Sequence, residues 1–307
     1  MLLWARANGC PWDKGTCEWA AHGGHLELLQ WGRANGCPCD GMEVYIAAQN
    51  GHEAMVRALI EAGADVNKAM DTGVTPLYIA AQNGHEAVVR ALIEAGAGVN
   101  KANVDGRTPL HIAARKGHET VLRALIDLGA DVNKAMDDGA TPLYIAAQMG
   151  HAAVVRALVE AGADFNKAKN DRTTPLFVAA VNCHEAVVRV LIEAGVDVNK
   201  ALSDGTSPLI MAVHNGFEAV VQALIEAGAD VNKAEARGVT PLYIAAQNGF
   251  EAVLRALIEA GADINQVAVN GSTPLSVSMM LARNAAQGNH AAIYRSIVQI
   301  LRDAGAA

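Results

Sequence analysis

Histidines recur in this 307-residue chain at a slot whose residue types could carry chemistry. Six of the ten follow a glycine or a cysteine, and four of these six precede a glutamate, which sets an imidazole beside a carboxylate. A zinc-protease helix needs a second histidine four residues after the first, and none of the six has one. Because the slot recurs together with its surrounding turn, we predict a structural role. The six are His25, His52, His85, His118, His151 and His184.

A second candidate for chemistry is a set of cysteines and histidines near the N-terminus. Zinc takes tetrahedral sulfur and nitrogen ligands, often from paired cysteines two to four residues apart. The spacings here do not follow that pattern, so we expect small buried thiols, no cofactor and no metal. A metal-binding N-terminus is the alternative. The set comprises Cys10, Cys17, His22, His25, Cys37 and Cys39.

Other functional classes are disfavoured by motif and composition. No nucleophile elbow, phosphate loop or dinucleotide fingerprint is present, so we predict a protein that is not an enzyme. The net charge of -8 disfavours nucleic acid as a partner. No apolar run approaches the roughly 20 residues of a membrane span, and no signal-peptide pattern precedes the repeats. Five cysteines, an odd count, fit free thiols in a reducing compartment, which predicts a cytoplasmic or nuclear protein that is not secreted.

A period of 33 residues positions these side chains. The stretch from Gly73 to Glu86 recurs from Gly238 to Glu251 with one change, Phe250 for His85. A fixed period of this length is typical of a solenoid, in which each unit contacts only its neighbours. The period is marked by Pro76, Pro109, Pro142, Pro175, Pro208, Pro241 and Pro274.

Each period predicts two short helices and a finger. Thr75 before Pro76 combines an N-cap hydroxyl with proline at the first helical position. Gly84 is expected to end that helix in the left-handed conformation, and Glu86 opens a second helix beside the positive end of its dipole. Arg90 lies four residues after Glu86, in the favourable order for an ion pair. The residues between the second helix and the next Thr-Pro are predicted to form a hairpin-like finger.

Several short motifs recur in register: Gly-x-Thr-Pro-Leu, Ala-Ala, Gly-His and Gly-Ala-Asp-Val-Asn. Their combination resembles the ankyrin-repeat family over about residues 43 to 275. The resemblance implies an all-α solenoid of helix-turn-helix units with short β-hairpin fingers, and a protein partner bound at the concave face and fingertips. The family's histidine after Thr-Pro-Leu is kept only at His111. Its equivalents are Tyr78, Tyr144, Phe177, Ile210, Tyr243 and Ser276.

The predicted organisation has three parts. Residues 1–42 follow a 27-residue period and resemble short ankyrin-like repeats with the finger cut back, so fingertip binding should begin near residue 66. Residues 43–273 are 33-residue repeats, and residues 274–307 are an extended capping repeat with lengthened helices at 276–287 and 290–303. Met1 aligns with Leu28, inside a second helix, which favours a truncated gene model or a fragment of a longer array.

The fingertips and the ends of the first helices vary between repeats, whereas the second helices hardly change. In the ankyrin family these variable positions line the concave face, so the resemblance implies a partner-binding strip. Relaxed drift at exposed sites is the alternative. Apolar tips such as Met70 favour binding, because exposed apolar residues in a row mark interaction patches. The predicted partner-binding residues are Met70, Asp71, Val74, Asn103, Arg107, Arg115, Lys116, Met136, Asp137, Met149, Lys169, Arg172, Leu202, His214, Glu235 and Arg237.

One repeat lacks glycine at two turn positions where the other repeats have it, at Arg172 and Cys183. If both keep a positive φ, each costs roughly 1–2 kcal/mol. We expect residues 166–198 to be a weak point that opens locally, with a small backbone adjustment as the alternative.

Lysines also recur in register, most of them with an aspartate three residues earlier, which predicts a solvated and charge-balanced edge. An acidic partner is the alternative. The lysines are Lys68, Lys101, Lys134, Lys167, Lys200 and Lys233.

The function that these observations favour is a monomeric, non-enzymatic scaffold for protein–protein interaction. The first alternative is a substrate-recruitment arm truncated from a larger multidomain enzyme, a ligase or a kinase. The second is a recently expanded array without a selected partner.

Overall fold

A computed structural model describes residues 14–36, 41–285 and 289–307 of the chain. The described residues form successive pairs of helices joined by turns, and they contain no β-strand. The helices, numbered in chain order, are α1 Lys14–Gly23, α2 Leu26–Ala34, α3 Glu43–Asn50, α4 Glu53–Glu61, α5 Pro76–Asn83, α6 Glu86–Glu94, α7 Pro109–Lys116, α8 Glu119–Asp127, α9 Pro142–Met149, α10 Ala152–Glu160, α11 Pro175–Val181, α12 Glu185–Glu193, α13 Pro208–His214, α14 Glu218–Glu226, α15 Pro241–Asn248, α16 Glu251–Glu259, α17 Pro274–Asn284 and α18 Asn289–Asp303.

The predicted start and end of the first helix are confirmed in α5. Thr75 is extended, and its hydroxyl oxygen accepts a hydrogen bond from the backbone N–H of Tyr78 at 3.1 Å. Gly84 follows the helix with φ of +81°, a conformation that glycine adopts without a side-chain clash. In α6, Arg90 Nε donates to Glu86 Oε1 at 3.0 Å, which confirms the predicted pair. The pair is solvent-exposed, so it stabilises the helix only slightly.

The chain divides into two compact units. The first holds the described residues up to Ala146 together with Arg156–Ala163, and the second holds Ala147–Val155 and Asp164–Ala307. In the first unit, α1, α3, α5 and α7 pack in sequence as one layer, and α2, α4, α6 and α8 form the other. In the second unit, the layers are α11, α13, α15 and α17, and α12, α14, α16 and α18. Leucines fill each core between the layers, among them Leu77, Leu92, Leu191 and Leu209.

The fingers are tight turns, and the predicted β-hairpin strands are not formed in the described residues. In the first full finger, the N–H of Gly73 donates to Met70 O at 2.8 Å, and the N–H of Met70 donates to Val74 O at 3.0 Å. These two bonds close a single turn, which is too short to carry a ladder of paired strands. Glycine is favoured at position 73, because the φ of Gly73 is +76° and a Cβ would lie 3.1 Å from the Cα of Asn103 in the next finger.

The C-terminal pair is longer than the others, as predicted. Helix α17 has 11 residues and α18 has 15, whereas α5 has 8 and α6 has 9. Helix α17 ends at Asn284, before the predicted limit of residue 287. The division into short, long and capping repeats stays a prediction, since residues 1–13 and 37–40 lie outside the described ranges. Within the described ranges, no helix combines the length and the apolarity that crossing a membrane requires.

Candidate functional site

The recurring histidines join consecutive repeats. His85 Nε2 donates to Gln49 O at 3.1 Å, and His184 Nε2 donates to Gln148 O at 3.0 Å. Each acceptor lies in the last turn of a first helix, where carbonyl groups have no partner within the helix. The ring nitrogen is therefore used in the scaffold, which supports the predicted structural role. His52 and His118 make the same bond to the repeat before them.

His111 has a different structural role, inside the first unit. Its side chain is fully buried, and its Nδ1 accepts from the N–H of Thr108 at 3.2 Å. Because Nδ1 accepts, Nε2 carries the proton and donates to Ala140 O at 3.4 Å. Burial lowers the pKa of His111 to about 4, so the ring is neutral near pH 7. Ser276 makes a comparable capping box with Thr273.

A second set of links between repeats uses the asparagine of each Asp-Val-Asn motif. Asn199 Nδ2 donates to Gly228 O at 3.2 Å, and its Oδ1 accepts from the N–H of Asp230 at 2.8 Å. Lys233 Nζ donates to Asn199 O at 2.7 Å, so this lysine of the predicted charged edge also binds the preceding repeat through a backbone oxygen. Lys200 does the same with Asn166 O at 3.0 Å. These side chains are parts of the stack.

The sixteen predicted binding residues are all at least partly accessible to solvent. The exposed ones are Met70, Asp71, Arg115, Lys116, Asp137, Met149, Arg172, His214 and Arg237. The half-buried ones are Val74, Asn103, Arg107, Met136, Lys169, Leu202 and Glu235.

The predicted row of exposed apolar tips needs correction. Met70 is exposed to 43%, but Met136 and Leu202 are half-buried. The residue that follows it in each finger projects further: Val104 is exposed to 68% and Val269 to 78%. Sequence reasoning missed these two valines. The signal was an apolar residue where other fingers have Asp71, Asp137 or Ser203.

In the first unit, two of the predicted residues, Arg107 and Arg115, lie near Tyr78. Arg107 Nη1 contacts Asp105 Oδ2 at 3.0 Å. Burial raises the pKa of Tyr78, while the charges of Arg107 and Arg115 act in the opposite direction. The two arginines and the adjacent Lys116 give this part of the finger and first-helix surface a basic character.

In the second unit, the structure brings three predicted residues together at a groove of about 540 Å³. His214 comes from the end of α13, and Glu235 and Arg237 come from the finger that follows. Sequence reasoning missed the apolar part of the same groove, which includes Met211, Ile244 and Val269. No pattern in one repeat shows it, because its walls come from successive repeats.

Arg172 and Cys183 keep the left-handed backbone of the glycines that they replace, with φ of 70° and 60°. The condition under which we expected strain, a positive φ at both positions, is therefore met.

The N-terminal cysteine and histidine set is only partly described. Cys17 is buried, whereas Cys10, Cys37 and Cys39 lie outside the described residues. The ring of His25 lies 4.9 Å from that of Trp19, centroid to centroid. Across residues 14–36, 41–285 and 289–307, no group of three or more His, Cys, Asp or Glu side chains is placed to hold a metal ion.

Comparison with known proteins gives one family and one fold. The family described as ankyrin repeats (three copies) matches in overlapping segments that together span residues 18–268. The crystal structure of the human ASB11 ankyrin repeat domain is similar, with a TM-score of 0.63 and 28% sequence identity. That similarity covers 75% of this chain and 97% of the ASB11 chain. A search of curated proteins gives no significant match.

Proposed function

Because the chain belongs to the ankyrin-repeat family, whose domains are generally protein-interaction modules, we propose that it is a non-enzymatic scaffold. It binds a protein partner through its fingertips and the ends of its first helices. Recognition of this kind uses an extended surface that the stacked repeats present together.

This proposal rests on one observation: recurring side chains bond within the scaffold, whereas variable side chains are accessible to solvent. Polar residues that recur in most repeats are used inside the stack, as His184 and Asn199 show. The residues that vary between repeats lie on the accessible surface of the fingers and first helices. An accessible and variable surface on a constant scaffold supports a role in recognition. Drift alone would give the same variation without any binding.

The test is affinity capture from an extract of the native cell. The first variant changes Met70, Met136, Lys169 and Leu202 to alanine together. A matched control changes Arg57, Arg123, Arg189 and Arg255 to alanine, because these arginines form exposed ion pairs on the second helices that contribute little to stability.

The expected result is a partner that the unaltered chain and the arginine variant retain and that the fingertip variant loses. Equal capture by all three chains would contradict the proposed surface. Loss with the arginine variant alone would place recognition on the second helices.

A further inference from the structure

We propose that the groove in the second unit is a docking site for an extended segment of a partner that carries a large apolar side chain next to a carboxylate. We call it the C-terminal groove; it is lined by Met211, His214, Glu235, Arg237, Ile244 and Val269, among others. This inference rests on the proposed function and adds the place and the chemistry of binding.

The floor of the groove is apolar and already shaped. Ile210 and Tyr243 are nearly buried and Met211 is half-buried, so they form a floor that a partner's apolar side chain can cover. The groove encloses about 540 Å³, which lies within the range of sites that enclose most of a bound group. Burying a large aliphatic side chain there is favourable, before the entropy of ordering the segment is subtracted.

A cationic side chain, that of Arg237, lies at the rim of the C-terminal groove. Arg237 Nε lies 3.2 Å from Glu235 Oε1, and the arginine side chain is 84% exposed while the glutamate side chain is 19% exposed. The glutamate therefore contacts the guanidinium at Nε, and most of the arginine side chain stays accessible to a partner. A guanidinium in this arrangement matches a carboxylate with two parallel hydrogen bonds.

Arg237 places a positive charge at a finger position where the four preceding fingers have a negative one. The equivalent residues in the four fingers before it are all aspartate. A partner segment that crosses the C-terminal groove thus meets a positive charge in a chain whose net charge is -8. Arg237, which also pairs with Glu235, therefore offers one carboxylate of the partner a cationic hydrogen-bond donor here. The four aspartates are Asp105, Asp138, Asp171 and Asp204.

The rim of the C-terminal groove also has exposed apolar side chains. Val269 lines the groove and is 78% exposed, and Val267, in the same finger, is also exposed. An apolar side chain of the partner can therefore lie on Val269 while a neighbouring carboxylate reaches Arg237.

The occupant is an extended segment because the lining comes from three successive repeats, represented by Thr206, Glu235 and Val269. Helices of neighbouring repeats pack roughly 8–10 Å apart, so two such steps span about 16–20 Å. Extended chain covers roughly 3.3–3.6 Å per residue, which gives a segment of about five or six residues.

The test is a selection from random dodecamer peptides displayed on phage, panned on the full chain. Fluorescein-labelled copies of the enriched peptides are then titrated by fluorescence anisotropy. We expect enriched peptides to join a large aliphatic or aromatic residue to a nearby Asp or Glu. Binding should weaken about tenfold in Arg237→Glu and again in Val269→Asp, since each removes one of the two contacts and adds a repelling charge.

Both variants have matched controls. Val104→Asp makes the same change at the same finger position of another repeat, where the valine is also exposed. Arg302→Glu makes the same charge change on an exposed residue of α18 outside the groove. Both controls should bind within about twofold of the unaltered chain. Circular dichroism of the four variants should be unchanged, because all four side chains are exposed.

Enriched peptides without a carboxylate, or equal weakening by Val269→Asp and Val104→Asp, would overturn the groove proposal. If no peptide is enriched while the capture experiment still depends on the fingertips, the proposed function stands and the groove proposal fails. If peptides bind the groove but the fingertip variant captures the partner normally, the groove proposal is supported and the fingertip surface is wrong.

Discussion

Arg172 and Cys183 stand on either side of helix α11, and both have a left-handed backbone, with φ of 70° and 60°. They are the non-glycine residues with positive φ in the described part of the chain, and they share one repeat. Each conformation costs roughly 1–2 kcal/mol for a residue with a Cβ. The strain of two turns is therefore concentrated in one unit of the array.

We predict that Arg172→Gly and Cys183→Gly each stabilise the protein by about 1 kcal/mol, because relief of the strain exceeds the extra chain entropy of glycine. Urea unfolding measures the change. Native-state hydrogen exchange should show residues 166–198 opening faster than their neighbours in the unaltered chain and slower in the double variant. Exchange no faster than in adjacent repeats would remove the predicted weak point.

Asn199→Ala should destabilise the second unit by about 1–2 kcal/mol, because it removes two hydrogen bonds to the next repeat. The control is Asn215→Ala, an exposed residue after α13 whose change should shift stability by less than about 0.5 kcal/mol. Urea midpoints of the two variants give the comparison. Equal midpoints would show that the asparagine links contribute nothing measurable.

We expect the protein to lose stability at low pH because of the buried, neutral His111. The folded pKa of about 4 lies below the ordinary value of 6.5, so the unfolded chain binds the proton more readily. The protonation of His111 leaves the free energy of unfolding unchanged above pH 6.5. As the pH falls from 6.5 toward 4, it lowers that free energy by about 3 kcal/mol in all. His111→Tyr, which places the residue of neighbouring repeats here, should flatten the stability profile over this range. Parallel profiles of the two proteins would contradict the assignment.

Glu43→Pro should destabilise the protein by more than about 1 kcal/mol, although proline occupies this position in the later repeats. Met42 has φ of -84° and ψ of -7°, and a helical residue before proline clashes with the ring. The change also removes the carboxylate that accepts from the N–H of Gly41 at 3.1 Å. The matched control, Thr240→Ala, loses a helix cap at a repeat that keeps its proline, and should cost about 1 kcal/mol. A rise in thermal midpoint for Glu43→Pro would contradict the prediction.

Much of the fold followed from local chemistry. Thr75 before Pro76 and Gly84 after the helix set the ends of α5, because capping and positive φ depend on a few adjacent residues. The 33-residue period then repeated the same helix-end signals along the chain. The apolar face of each second helix identified the core. The positive φ of Arg172 and Cys183 was also predictable, because their repeat equivalents are glycine.

The sequence by itself thus determined the repeat, the helix ends and the polar residues of the scaffold. Only the tertiary structure decided what those side chains bind and which tips project. His85 meets a carbonyl 36 residues away, and the C-terminal groove is lined from three successive repeats. Whether Met136 lies half-buried while Val104 projects depends on how each turn packs against its neighbours. Such contacts arise only when repeats stack, since no single repeat contains both partners.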